Sequence, residues 1–198
     1  MTGKKYSMSF TTAPLLYNES LLVAALFARQ QNWQAVREIV LAENRLQMRT
    51  LNSSKRILQE ITSRLHQLTP AQLDLLINGS RQEQNNLLWL TICKRYRFIY
   101  DFAVEVIREK YLRLDLDLSY DDYDLYFNDK AEWHPEVARV TETTRLKGRQ
   151  VVFKMLREAE LMTSQNRLIP ALLTPSLIKA IQQDNSAHFA IFPVTDII

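Results

Sequence analysis

The chain has 198 residues and a formal net charge of +3, which is long enough to bury a core as one compact domain or two small ones. Its single cysteine, Cys93, excludes an internal disulfide, and no segment approaches the roughly 20 apolar residues that a membrane span requires. With only 3 glycines and 6 prolines, and many helix-forming Leu, Arg, Gln and Glu, the composition predicts an all-α, soluble and cytoplasmic protein.

Cap residues and apolar spacing predict five helices in the first part of the chain. They are expected at about 18–31, 32–43, 51–68, 70–78 and 82–113. Asn18, Asn32 and Thr69 are the expected N-caps, Pro70 takes a first helical position, and Gly79 follows a helix end. The last of these helices is apolar around most of its circumference, so we expect it to be central and surrounded by the others.

The charges are unevenly distributed although their sum is small. Residues 1–113 hold 16 Lys and Arg against 9 Asp and Glu, residues 114–136 hold 1 against 8, and residues 137–198 hold 8 against 5. Such segregation can produce a local positive field that the net charge conceals. Because the acidic stretch also interrupts the helical pattern, we place a boundary near 115, between an N-terminal helical domain (1–114) and a C-terminal helical domain (115–198).

Helical signals resume after the acidic stretch. Ser119 is the expected cap of a short helix, Pro135 begins another, and residues 142–162 predict a longer one. The segment LLTPSLIKAIQQD has the cap and proline of a further short helix. The segment AHFAIFPV at 187–194 is compatible with a strand, which would form a small C-terminal wing or hairpin.

The polar face at the start of the helix at 51–68 has side chains suited to nucleic acid. The candidate contacts are Asn52, Ser53, Ser54, Lys55, Arg56 and Gln59. Arg can bond guanine, and Asn and Gln can bond adenine, while hydroxyls, Lys and a helix N-terminus can hold phosphate. A short helix and a turn precede this helix, which is the order of a helix-turn-helix. A merely solvated polar face is the alternative interpretation.

The helix at 142–162 repeats this design and suggests a second helix-turn-helix unit. Its candidate contacts are Thr143, Thr144, Arg145, Lys147 and Arg149. Gly148 between them lacks a side chain that would block close approach, and the helix then becomes apolar. A recognition helix is built this way, because its N-terminal residues meet the DNA groove. A capped first turn that extends into solvent is an equally open interpretation.

Catalytic and metal-binding motifs are not found in the sequence. The three histidines are scattered and Cys93 falls in the presumed central helix, so neither a zinc site nor a cysteine nucleophile is predicted. The acidic stretch lacks the glycine and terminal glutamate of a calcium loop. A metal-dependent nuclease using Asp121, Asp122 and Asp124 is a weaker hypothesis. We therefore expect no enzyme, no cofactor and no metal.

Several blocks of the sequence also resemble a known family. The blocks are SFTTAPLLYNES, AENRLQMRTLNSSKRILQEITSRL, ICKRYRFIYDFAVEVIREKYL, DYDLYFNDKAEWHPEV and TETTRLKGRQVVFKMLREAELM. In this order, through nearly the whole chain, they are similar to the BrxA family of bacterial BREX phage-exclusion systems. The resemblance implies an all-helical cytoplasmic protein that binds DNA through helix-turn-helix elements and acts beside a methyltransferase, an ATPase and other BREX proteins.

These observations together predict a non-enzymatic, double-stranded DNA-binding protein of phage defence, expected to be a monomer. The two basic helices carry the predicted contacts. The alternative is a protein-interaction adaptor, in which the acidic segment and the basic helices dock other BREX components and DNA binding is incidental.

Overall fold

In the computed structural model, which describes residues 6–195, all regular secondary structure is helical. The α-helices are α1 (Tyr17–Gln30), α2 (Trp33–Ala42), α3 (Leu51–Leu65), α4 (Pro70–Asn78), α5 (Arg81–Arg95), α6 (Arg97–Phe102), α7 (Glu109–Leu112), α8 (Tyr120–Trp133), α9 (Pro135–Ala138), α10 (Glu142–Glu158) and α11 (Pro175–Gln182). Two 3₁₀ turns lie at Ser9–Thr12 and Ser186–Ile191, and a π-helical stretch, Ala103–Arg108, joins α6 to α7. The predicted all-α fold class is confirmed.

Side-chain caps begin most helices where the sequence predicts them. Thr69 and Ser119 each form a capping box with the residue three positions on, which satisfies backbone N–H groups that a helix start leaves unpaired. Asn32 accepts hydrogen bonds from the backbone N–H groups of Gln34 and Ala35 at 2.8 and 3.2 Å. The prediction for Asn18 was wrong, since α1 begins at Tyr17 with Leu16 at the N-cap position, two residues before Asn18, and without a side-chain cap.

The long helix predicted at 82–113 is interrupted at Tyr96. The backbone there is extended (φ −118°, ψ 98°), so α5 ends and α6 begins on either side of it. The Tyr96 ring is buried, and its hydroxyl donates to Glu60 Oε1 at 2.5 Å. No glycine or proline marks this break, and for that reason the sequence pattern did not reveal it.

A single hydrophobic core includes residues from both predicted domains. Its centre is α5, where every residue from Asn85 to Cys93 is buried, as the sequence predicts for the central helix. Trp89 Nε1 donates to the Ile191 carbonyl at 3.0 Å, and the Phe98 ring packs edge-on against Tyr126 of α8. Each fully buried Leu or Phe in such a core contributes about 1.5–3 kcal/mol. The helices are therefore positioned by packing around α5.

The segment Ala13–Leu15 contacts the rear ends of two helices. The Arg64 guanidinium, near the end of α3, donates to the carbonyl oxygens of Pro14 at 2.6 Å and Ala13 at 2.9 Å. The backbone N–H of Leu15 donates to Glu158 Oε2, at the end of α10, at 2.8 Å. The same three residues thus fix the rear of α3 and the rear of α10.

The strand and wing considered for residues 187–194 are wrong. Asn185 caps the 3₁₀ turn Ser186–Ile191 by accepting from the Ala187 N–H at 2.9 Å, and this turn replaces the strand. Within residues 6–195, β-type pairing is limited to two isolated bridges. Met162 pairs with Leu168 inside the loop after α10, and Arg167 of that loop pairs with Asp117, which lies before α8. None of the described helices is both long enough and apolar enough to cross a lipid bilayer.

Candidate nucleic-acid interface

The start of α3 carries the first set of predicted contacts. We call Asn52, Ser53, Lys55, Arg56 and Gln59 the α3 front. Asn52, Lys55, Arg56 and Gln59 are exposed, and Ser53 is half-buried. The side chain of Thr50 caps the helix by accepting from the Ser53 N–H at 3.1 Å. Since residues three and four positions apart share one helix face, the exposed side chains form one continuous surface.

Ser54 does not belong to this surface, contrary to the prediction. Its side chain is buried, 2% exposed, because its position on the helix aligns with the core residues Ile57, Leu58 and Ile61. Within residues 6–195 its hydroxyl has no hydrogen-bond partner. The polar character of serine misled the prediction, since the helical period places position 54 in the apolar stripe.

The charge of the α3 front is unneutralised within the described part of the chain. Lys55 and Arg56 form no ion pair with any residue of 6–195. Arg37 of α2 and Arg49, just before the cap, are also exposed, and Arg37 lines a groove of about 290 Å³ together with Gln59. The partial positive charge of a helix N-terminus adds to this cationic surface.

The start of α10 carries the second set, and its arginines are engaged within the protein. We call Thr143, Thr144, Arg145, Lys147 and Arg149 the α10 front. Arg149 Nη1 donates to Asp124 Oδ2 on α8, and Arg145 Nε lies 3.8 Å from Asp124 Oδ1. The Arg149 guanidinium also lies over the Tyr120 ring, 4.5 Å from its centroid. Both guanidinium groups are therefore folded back onto α8 and half-buried, with their charge partly neutralised.

The remaining members of the α10 front differ in their exposure. Lys147 and Thr143 are exposed, and Lys147 forms no ion pair with residues 6–195. Thr144 is half-buried, and its hydroxyl accepts from the Thr141 hydroxyl at 3.0 Å. The front thus combines one free cation with a cluster of two arginines and one aspartate, whose net charge is +1.

Gly148 faces the protein body, contrary to the interpretation that it permits close approach of a ligand. A Cβ atom at this position would lie 2.9 Å from Tyr123 Oη and 3.5 Å from Phe10 Cε2. The absence of a side chain thus lets α10 pack closely on α8 and on the 3₁₀ turn at Ser9–Thr12. The physical requirement for glycine at 148 is internal packing.

Short connections surround α10. Residues 139–141 join α9 to α10, and a tight loop follows α10, in which Thr163 N donates to the Arg167 carbonyl at 2.8 Å. Leu168 N then donates to the Leu116 carbonyl at 2.7 Å, which attaches this loop to the segment before α8. By contrast, eight residues, 43–50, join α2 to α3.

The sequence did not reveal the partner of the two arginines. Asp124 lies in the acidic stretch of the sequence, yet its carboxylate is only 22% exposed and is held between α8 and α10. It is 21 and 25 residues away from its partners in the chain, and no local spacing signals such a pairing. Within residues 6–195, no three His, Cys, Asp or Glu side chains are grouped so as to hold a metal ion.

Comparison with known proteins shows one family. The family model described as BrxA matches residues 4–185. The BREX protein BrxA of Bacillus cereus (strain H3081.97) is 26% identical over 160 residues, which are 81% of this chain and 80% of that protein. The BREX protein BrxA of Escherichia coli O9:H4 (strain HS) is 25% identical over 154 residues, 78% of this chain and 72% of that protein.

A solved structure shares the fold. The crystal structure of an uncharacterized protein from Magnetospirillum magneticum superposes with a TM-score of 0.81, covering 96% of this chain and 99% of that chain at 21% sequence identity. The arrangement of helices described above is therefore similar to one found in a crystal.

Proposed function

Because the chain belongs to the BrxA family, we propose that it is a phage-defence component of a BREX system that binds double-stranded DNA and catalyses no reaction. The α3 front is the principal DNA contact in this proposal, and the α10 front is the second.

The observation that carries the proposal is the free, exposed pair of cations at the capped start of α3. Lys55 and Arg56 have no ion-pair partner within residues 6–195, and Asn52 and Gln59 share their helix face. A lysine or arginine that contacts a phosphate releases condensed counterions, which is the main source of affinity for duplex DNA. Asn and Gln on the same face can then bond base edges in the major groove.

The elements around α10 support a helix-turn-helix unit there. The three-residue connection between α9 and α10 has the length found in such motifs, and in our proposal the bridged loop after α10 serves as a minimal wing. The connection from α2 to α3 is longer than three or four residues, so in our proposal the first unit is a helix-turn-helix with an extended turn. In both units the N-terminal turns of the second helix would meet the groove.

A second role, docking of other BREX proteins, is favoured by apolar side chains exposed on α8. Leu125 and Trp133 are 70% and 77% exposed, beside the exposed carboxylates of Asp121 and Asp129. Exposed large apolar residues with a polar rim are typical of protein interfaces. If α8 has this docking role, replacing Leu125 and Trp133 by serine should release co-purifying partners but leave the affinity for DNA unchanged.

The test of DNA binding is a salt series of fluorescence anisotropy with a labelled duplex. The Lys55→Ala/Arg56→Ala variant should bind roughly 30-fold more weakly at 0.15 M salt, with a log–log salt slope reduced by about 1.8, if both cations contact phosphate. The matched control is Arg113→Ala/Lys179→Ala, which removes two exposed cations elsewhere. A front variant that binds like this control would refute the assignment of the α3 front.

A further inference from the structure

A cavity of about 550 Å³ lies on another part of the protein, among the end of α3, the junction of α5 and α6, and the 3₁₀ turn near the C-terminus. Its lining includes Lys94, Arg95, Arg97, Tyr100 and His188. None of the lining residues in the described chain is an aspartate or a glutamate. The cavity thus presents one histidine and three cations, of which Lys94 and Arg97 are ion-paired with carboxylates outside the lining and Arg95 is not.

Two carboxylates outside the lining, Asp101 and Asp184, pair with two of these cations. Arg97 donates to Asp101 through Nε at 2.8 Å and pairs through Nη2 at 2.7 Å, and its guanidinium lies over the Tyr100 ring, 4.9 Å from the centroid. Asp101 is buried and is itself held by the Tyr6 hydroxyl at 2.7 Å. Lys94 Nζ donates to Asp184 at 2.8 Å. These cations are therefore preorganised, which lowers the entropic cost of binding an anion.

Arg95 has no ion-pair partner at this cavity. It is exposed and forms no ion pair with residues 6–195, and its guanidinium lies 5.4 Å from the centroid of the Tyr96 ring. Its donors are therefore available to a ligand. His188 Nδ1, by contrast, lies 3.3 Å from Asp184 Oδ2 and is engaged with that carboxylate.

We propose that this cavity binds the phosphate group of a small molecule of about mononucleotide size. Arginine presents a planar fork of donors that matches phosphate oxygens, and lysine adds a point charge. A volume of 550 Å³ falls within the range of about 300–1,000 Å³ that small-ligand pockets span. Because the lining residues include cations and no carboxylate, the cavity would repel a cationic ligand.

The cavity is separate from the α3 front. It adjoins Gln67, just beyond the rear of α3, whereas the α3 front is at the opposite end of that helix. A 15-residue helix is about 22 Å long, so roughly that distance along α3 separates the α3 front from Gln67. Binding of a small phosphate compound is therefore a property additional to DNA binding, and each can fail without the other.

Isothermal titration calorimetry with inorganic pyrophosphate and with adenosine diphosphate tests the proposal. The full-length protein should bind at least one of these probes, and Arg95→Glu should weaken that binding at least tenfold. Arg95 is exposed and unpaired within the described residues, so this variant should fold normally, as circular dichroism would check. The control is Arg113→Glu, a charge reversal 18 residues further along the chain, which should bind the probe like the parent.

Three outcomes would overturn the proposal. One is the absence of binding for both probes at millimolar concentration, and another is equal weakening by Arg95→Glu and Arg113→Glu. The third is displacement of the bound probe by a duplex oligonucleotide, which would assign the cavity to DNA phosphates. The Arg95→Glu variant should keep at least half of the parent's affinity for duplex DNA in the anisotropy assay, which separates this proposal from the DNA-binding proposal.

Discussion

Replacing Asp124 by asparagine should strengthen DNA binding if the α10 front contacts the duplex. The Asp124 carboxylate pairs with Arg149 and lies 3.8 Å from Arg145, so it neutralises one of the two charges that these arginines supply. Asparagine keeps an oxygen acceptor for the Arg149 guanidinium, and the positions of the side chains should change little. The substitution therefore changes local charge with little change in shape.

The size of the effect follows from counterion release. The net charge of the cluster rises from +1 to +2, which corresponds to about one more neutralised phosphate and a log–log salt slope steeper by about 0.9. At 0.15 M salt this is roughly a fivefold gain in affinity, or about 1 kcal/mol. Charges within one Debye length, about 8 Å at this salt concentration, are felt by the phosphates, so only a carboxylate close to the bound duplex should have this effect.

The assay is the same anisotropy titration at several salt concentrations, with Asp129→Asn as the matched control. Asp129 also lies on α8, is 64% exposed and gives the same change in total charge. Because it is five residues further along α8, it points about 140° away around the helix axis. If Asp124→Asn and Asp129→Asn change Kd and the salt slope equally, or if neither changes them, then the α10 front is not at the DNA.

Two further predictions concern the stability of the fold that positions these surfaces. Arg64→Met should lower the free energy of unfolding, measured by urea denaturation, by about 3–5 kcal/mol. The reason is that it leaves the largely buried Glu60 carboxylate without its charged partner, which lies 2.6 Å away. An equal loss of stability when Arg64→Met is made in a Glu60→Gln background would refute this reason. The pKa of Glu83 is lowered from its ordinary value, and the largest cause is the hydrogen bond from the Thr174 hydroxyl. Hydrogen bonds from Ser80 also lower the pKa, and together they outweigh burial, which raises it. Because the pKa of Glu83 is lower in the folded state than its unfolded value of about 4.5, its ionised form stabilises the protein above that pH. This stabilisation is lost as the pH falls through the folded-state pKa. The melting temperatures of the parent and Glu83→Gln should therefore converge below about pH 4.5. A difference that stays constant from pH 7 to pH 3 would contradict this assignment.

Local signals predicted much of the fold and the α3 front. Helix caps such as Thr69 and Ser119 act within four residues, so the sequence near them contains the whole interaction. The helical period likewise separates Arg56 and Gln59 from the buried Ile57 and Leu58, because neighbouring positions differ by about 100°. Whatever depends on a few neighbouring residues is accessible to pattern analysis.

Features that depend on contacts between distant segments were not predictable in this way. The pairing of Asp124 with the α10 arginines joins two helices, and the extended backbone at Tyr96 accompanies a hydrogen bond to Glu60 on α3. Tertiary contacts of this kind override local propensity and leave no periodic signal. The cavity of about 550 Å³ was missed for the same reason, since four separate parts of the chain line it.

Residues Ala13–Leu15 have an indirect consequence for experiments on DNA affinity. The carbonyl oxygens of Ala13 and Pro14 accept two hydrogen bonds from the Arg64 guanidinium, and the Leu15 N–H donates one to Glu158. Arg64 and Glu158 lie near the ends of α3 and α10 that are opposite the two fronts. Loosening this segment should therefore shift both fronts. If the fronts bind DNA as proposed, a Kd measurement alone would score Pro14→Ala or Leu15→Ala as the loss of a DNA contact, and only a parallel measurement of melting temperature would expose the artefact.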